Sequence, residues 1–163
     1  MPAASDTIHA LPDGSSVTSS CESILRALPA WFGIDAAIVS YVEAIARMPT
    51  FIATAPNDAS DVRGFLSLEI HNESSAEIHV MGVAPDAHRS GIGRALVEHA
   101  EVFARSRGIE YFHVKTLGPS RENADYERTR AFYRALGFRP LEERHDIWGP
   151  RNPCLFMVKY IGD

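Results

Sequence analysis

Apolar positions along this chain change their period several times, and each change marks a new element. Thr7–Leu11 reads as a short first strand, and the polar stretch from Asp13 to Ser20 reads as a loop. Ser19 and Glu22 have the spacing of a capping box, which predicts a helix with Ile24, Leu25 and Leu28 on one face. Pro29 stops it. Asp35 is placed to cap a second helix, in which Ile38, Tyr41, Val42 and Ile45 share a stripe and Pro49 marks the end. Period two then takes over. Thr50–Ala55 reads as a strand and Pro56–Asp61 as a turn. Val62–His71 reads as a strand with Leu66, Leu68 and Ile70 on one face. Asn72–Ser75 turns the chain into a further strand, Ala76–Val83.

Helical spacing returns at Ala95, Leu96, His99, Ala100 and Phe103, and Gly108 is the expected cap. Tyr111–Leu117 reads as a strand, Gly118–Ala124 as a loop and Asp125–Leu136 as a helix. Arg139–Asp146 and Cys154–Ile161 read as two last strands around the loop Trp148–Pro153. The predicted order is βααβββαβαββ. With 163 residues and no repeat, linker or low-complexity tract, a single domain spanning 1–163 is expected, with residues 1–6 flexible.

The segment His88-Arg89-Ser90-Gly91-Ile92-Gly93-Arg94-Ala95-Leu96 joins the strand ending at Val83 to the long helix. Its glycines let backbone approach a ligand closely. The helix start supplies unpaired N–H groups and a positive dipole end, a natural seat for an anion, and Arg89 and Arg94 add charge. A phosphate or pyrophosphate is the expected guest. A Walker A loop would need Lys-Ser/Thr after the last glycine, where Arg94-Ala95 stands. A dinucleotide fingerprint would need a small residue where Leu96 sits and would lie near the start of its unit. A plain strand-to-helix turn is the remaining alternative.

Residues 83–96 resemble the acyl-CoA loop of the GNAT superfamily of N-acetyltransferases, whose pattern is Arg/Gln-x-x-Gly-x-Gly/Ala between strand and helix. His88 stands at the Arg/Gln position. A second stretch, Thr129-Arg130-Ala131-Phe132-Tyr133-Arg134-Ala135-Leu136-Gly137-Phe138, resembles the late Phe-Tyr helix of the same superfamily. The resemblance extends from about Thr50 onward. It implies an α+β fold of mixed α/β type, with a central, mostly antiparallel mixed sheet flanked by helices. It implies acetyl-CoA as cosubstrate and transfer of acetyl to a primary amine by direct attack.

Composition narrows the partners. Net charge is −5 and the sequence pI is about 5.8, which disfavours nucleic acid and with it the acetylation of a charged tRNA. The Arg121–Arg134 region is interleaved with Glu122, Asp125 and Glu127 and reads as a solvated helix face. No apolar run has membrane-spanning length, and Met1–Ser20 lacks the pattern of a signal peptide. Cys21 and Cys154 are unpatterned and read as reduced core thiols, so a cytoplasmic protein is expected. The seven histidines show no close ligand spacing in sequence, and no metal is expected. A homodimer is expected only because the family often forms one.

The resemblance also distributes roles. Superfamily histone acetyltransferases carry a catalytic Glu where Glu77 stands, so Glu77 is the candidate base, acting directly or through water. The alternative is a surface strand residue or a partner for an Arg. Period two puts Glu77, His79 and Met81 on one face, which makes His79 the rival base. His113 and Lys115 on the next strand are candidates to line the same cleft, with a structural role the favoured reading. Tyr133 is the candidate acid for the departing thiolate, with an aromatic core residue whose hydroxyl is satisfied as the alternative. Tyr126 stands where many members have Asn. Backbone of Met81, Gly82 and Val83 is expected to pair with the pantetheine arm. Gly82 interrupts an apolar strand as close approach of a chain-like group requires. His88, Arg89, Ser90, Gly91, Ile92, Gly93, Arg94, Ala95 and Phe132 complete the cofactor contacts. Trp31 and Phe32, in a Pro/Gly-bounded loop, and Trp148 are candidate walls of the acceptor pocket, with a core-plug role as the alternative. Polyamine, aminoglycoside, amino acid and protein N-terminus all stay open as acceptors. The rival to an enzyme is a fold-alike that binds acyl-CoA without turnover.

Overall fold

The structure, a computed structural model, describes residues 5–163. The N-terminal run expected to be flexible lies outside the described residues except for Ser5 and Asp6, and the Asp6 carboxylate accepts a 2.8 Å ion-paired hydrogen bond from Arg63. Among the described residues there are seven strands with the hydrogen-bonded order β1-β2-β3-β4-β5-β7-β6. The element order is the one the periodicity predicts. The sheet is mixed and mostly antiparallel. The chain falls into two compact units.

The first unit comprises the chain up to Glu69 together with His79–Phe103. It contains β1 (Thr7–Leu11), α1 (Thr18–Arg26), α2 (Asp35–Ile45), β2 (Thr50–Ala55), most of β3 (Asp58–Ile70), the second half of β4 (Ser75–Val83) and most of α3 (Ile92–Ser106). β1 pairs antiparallel with β2 and β2 with β3, placing Leu11 opposite Thr50 and Phe51 opposite Leu66. Cys21, Ile24, Leu25, Leu28, Ile38, Ile45, Ile52, Phe65 and Val80 form a buried cluster. α1 docks closely because Gly82 has no side chain: a Cβ there would meet Ile24 Cγ2 at 3.0 Å and Leu28 Cδ1 at 3.3 Å.

Three local expectations are corrected. α1 starts at Thr18 with Val17 at the cap position and no side-chain cap bond, so Ser19 lies inside the first turn. The Val17 N–H bonds Gly14 O at 3.0 Å and the Val17 side chain packs on the core cluster, so an apolar contact sets the start. Glu22 pairs with Arg26 at 3.0 Å instead of capping backbone. Asp35 is the first helical residue of α2, after Ile34 at the cap position, and its carboxylate meets Arg26 at 2.7 Å. Negative charge in a first turn suits the helix dipole. β3 begins at Asp58, four residues before Val62. The register shifts beside Thr54 let an exposed ribbon continue the ladder, and polar residues suit it because both of its faces are wet. Further along β3, Phe65, Leu66, Ser67 and Leu68 are buried on both faces, while Ile70 at the strand end is exposed.

The second unit comprises Ile70–Ile78 and Ala104–Asp163. Here the first half of β4 runs parallel to β5 (Tyr111–Leu117), from Ser75 opposite Tyr111 to Ile78 opposite Val114. β7 (Cys154–Tyr160) lies antiparallel between β5 and β6 (Arg139–Arg144). Phe112, Phe138, Met157 and Ile161 are core residues. α4 (Ala124–Ala135) is capped by Asn123, whose side-chain oxygen accepts the N–H groups of Asp125 and Tyr126 at 3.0 and 3.1 Å. It ends as expected at Gly137, whose φ of 97° is left-handed. The Phe138 N–H returns to Tyr133 O at 3.1 Å and the Gly137 N–H to Arg134 O at 3.0 Å, closing a Schellman motif. The solvated-face reading fails for one arginine: Arg130 is buried, and its Nη1 donates to Leu117 O at 2.7 Å. That bond ties α4 to the end of β5.

Both cysteines are free and buried, as expected. Burial pushes the Cys21 thiol up to about 12 and the Cys154 thiol up to about 11. A thiol reacts as its thiolate. Folded protein at pH 8 is therefore expected to resist iodoacetamide, and denatured protein to take up two labels; mass spectrometry of both samples checks this.

Candidate active site

The glycine-rich turn is built as its sequence requires. β4 ends at Val83, a 3-10 turn covers Pro85–Ala87, and α3 begins at Ile92. Between them Arg89 and Gly91 both take left-handed backbone, with φ of 62° and 87°. A Cβ at Gly91 would meet nothing within 4 Å, so this glycine serves backbone shape and leaves open space above it. The first intrahelical bond is Ala95 N–H to Gly91 O, 3.0 Å. Helix geometry leaves the N–H groups before it without intrahelical acceptors, at the positive dipole end. Ile92, by contrast, is buried. It docks where β3 carries Gly64, since a Cβ on Gly64 would come within 2.8 Å of Ile92 Cγ2. Arg89 and Arg94 are exposed, with Arg94 3.5 Å from Glu98.

His88, at the variant position of the loop, is exposed, and its Nε2 lies 2.8 Å from Val83 O, tying the loop to the strand end. The Trp31 ring meets the His88 ring edge-on at 6.4 Å. Phe32 meets Tyr41 at 5.8 Å, and Tyr41 meets His79 at 5.6 Å, both edge-on. His79 Nδ1 also lies 3.4 Å from Glu69 Oε2. Trp31 and Phe32 are thus partly buried against the core cluster while extending an aromatic row to His88 and His79. Gly82 is filled from one side by α1, so its lack of a side chain is explained by packing within the protein.

In the second unit Glu77 is 3% exposed, and its carboxylate is bonded on both oxygens. Oε1 lies 3.0 Å from His71 Nε2 and Oε2 lies 3.4 Å from Lys115 Nζ. The surface-strand reading of Glu77 is therefore excluded. His113 stands opposite Glu77 in the parallel register, and its ring stacks on that of His71 at 5.1 Å. Lys115, two residues on, also lies 5.6 Å over the Phe156 ring. From sequence, His113 and Lys115 are set on the strand beside Glu77 and His71 is given no role. A signal existed for His71: the tight turn at Asn72 sets it opposite Ser75, which makes Glu77 its diagonal neighbour.

Tyr133 is buried between Phe132 and Phe138, with ring centroids at 5.2 and 5.5 Å. Burial pushes its phenol well above the usual value, with Tyr126 adding to the shift, so the hydroxyl keeps its proton. Thr116 Oγ1, on β5, is a buried side-chain atom with no hydrogen-bond partner among the described residues. Trp148 is 40% exposed in the loop between β6 and β7.

Comparison with known proteins fits this arrangement. The family described as the acetyltransferase (GNAT) domain matches residues 49–140. A mycothiol acetyltransferase of Beutenbergia cavernae is 38% identical over 74 residues, covering 45% of this chain and 23% of that protein. The chain spans only 20–30% of the length of the curated relatives it matches. A GNAT-family acetyltransferase structure from Desulfovibrio desulfuricans superposes with a TM-score of 0.81 at 16% identity, covering 96% of this chain and 99% of that one. One from Elizabethkingia anophelis with acetyl-CoA bound gives 0.69 at 18%, covering 96% and 98%. The fold is shared across these structures, and with the family match over more than half its length, this chain belongs to the GNAT family of acetyltransferases.

Proposed function

We propose that the chain is an acetyl-CoA-dependent N-acetyltransferase acting on the primary amine of a small acceptor. The observation that carries this is the turn at Arg89–Gly91: left-handed backbone and open space in front of a helix start fit a pyrophosphate. The relative with acetyl-CoA bound supports that choice of cosubstrate. A free alkylammonium has a pKa of ~10.4 and must lose a proton before it attacks. Glu77 is the proposed base. It is ionisable, buried and held in one place by His71 and Lys115. His79, oriented by Glu69 and Tyr41, is the alternative. The nitrogen forms a bond to the thioester carbon, the C–S bond breaks, and the sulfur takes a proton. Tyr133 is the proposed donor, since burial keeps its phenol protonated. Met81, Gly82 and Val83 backbone and Phe132 are proposed to contact the pantetheine, and Trp31, Phe32 and Trp148 the acceptor.

Gly91→Ala places a methyl in the open space at little steric cost to the protein, apart from about 1–2 kcal/mol for its left-handed backbone. It is expected to lower acetyl-CoA affinity at least tenfold in a protein that still melts cooperatively. Titration calorimetry paired with thermal melts checks this, and unchanged affinity counts against the loop as the binding site.

A thiol-release assay with a panel of amines tests turnover. Tyr133→Phe keeps the ring and deletes the proton, and kcat should fall by roughly one to two orders of magnitude, at the low end of general acid contributions. Glu77→Gln should lower kcat and change the acidic limb of the pH–rate profile with acetyl-CoA affinity little altered. Absence of thiol release with every amine, together with tight acetyl-CoA binding, would leave a binding module and overturn the enzymatic reading. Once an acceptor is found, Trp31→Ala, Phe32→Ala and Trp148→Ala should each raise its KM more than that of acetyl-CoA. A drop in melting temperature alone would assign them to packing.

A further inference from the structure

The histidines that look unrelated in sequence converge on Glu77. His71 lies at the end of the β3–β4 hairpin, Glu77 on β4 and His113 opposite it on β5, all within one compact unit. One ligand atom from each lies within 4.8 Å of the others. We propose that His71, Glu77 and His113 form a binding site for a divalent transition-metal ion of the Zn2+ class.

Geometry and donor chemistry both support this. Zn2+ binds imidazole nitrogen and carboxylate oxygen at about 2.0–2.2 Å, so adjacent ligands stand roughly 3 Å or slightly more apart. The His71 Nε2 to Glu77 Oε1 distance is 3.0 Å. An ion there needs His71 to carry its proton on Nδ1, a tautomer open to any neutral imidazole. Two imidazoles and one carboxylate suit a borderline ion and leave coordination positions for water. The carboxylate is buried and His71 is exposed, so the charge that attracts the ion is desolvated while a route from solvent exists. Lys115 opposes the ion. Its ammonium sits 3.4 Å from the other carboxylate oxygen, leaving Oε1 to the metal but repelling the dication. The site should therefore be of moderate affinity and should tighten when that charge is removed. Occupancy would withhold the Glu77 carboxylate from proton transfer, a consequence that rests on Glu77 being the base, whereas the binding site itself does not.

The test is titration of the chelator-stripped chain with Zn2+ alone, by calorimetry and without acetyl-CoA. One saturable site is expected. His71→Ala and His113→Ala should each weaken it at least tenfold, since even changes to residues behind a metal's ligands commonly weaken binding 10–100-fold. Lys115→Met should tighten it several-fold, and His99→Ala, a change on α3 remote in sequence from all three ligands, should leave it unchanged. Thermal melts identify folded variants, and a Zn2+-dependent rise in the wild-type melting temperature gives a second reading. Absence of saturable uptake, or wild-type uptake by folded His71→Ala and His113→Ala, would overturn the proposal. Because no acetyl-CoA is present, that outcome leaves the acetyltransferase reading untouched.

Discussion

Two neighbouring strands that run in the same direction cannot be joined by a hairpin, and the parallel pairing of β4 with β5 imposes that constraint here. The chain must leave the end of β4, cross over, and return to start β5. α3 makes the crossing in 15 residues. A turn then has to connect the end of a strand to the beginning of a helix within the few residues after Val83. Left-handed backbone at Arg89 and Gly91 makes the reversal, and the space beside the Gly91 Cα is open. The connection that satisfies topology is the turn proposed to seat the pyrophosphate, and the burial of Ile92 against the Gly64 position fixes where that turn stands.

A second constraint is the burial of a carboxylate. Taking Glu77 out of water costs several kcal/mol unless its charge is matched. The protein meets this from two directions, through the hairpin neighbour His71 on one oxygen and Lys115 of β5 on the other, while the cross-strand neighbour His113 stacks on the His71 ring. His71, His113 and Lys115 therefore share a face with Glu77 because strand periodicity and the parallel register put them there. The network holds the carboxylate in one position, which is what a base needs. It also supplies the donor set on which a metal ion could compete with Lys115.

Around the loop, support comes from aromatic packing. His88 bonds the Val83 carbonyl and meets the Trp31 ring edge-on, so the residue that departs from the family pattern braces the turn at its surface. Phe32, Tyr41 and His79 continue the row. Trp31, Phe32 and Tyr41 are partly buried, packed against the core cluster.

Much of the fold was legible in sequence because its signals are local. Thr50–Ala55 and Tyr111–Leu117 show as strands, and Gly137 with Phe138 closes α4 through bonds spanning five residues. The loop from His88 to Ala95 declared itself because glycine spacing and helix onset are adjacent in the chain. Tertiary structure decided what depends on partners distant in sequence. Val17 sets the start of α1 by packing, so the Ser19 capping signal was overridden. Register shifts beside Thr54 extend β3 through residues too polar to read as strand. Arg130 looks like one more surface arginine until the Leu117 carbonyl is placed beside it. The meeting of His71, Glu77, His113 and Lys115 required the pairing of β4 with β5. Composition and periodicity cannot specify it, because register is a relation between strands and not a property of either one.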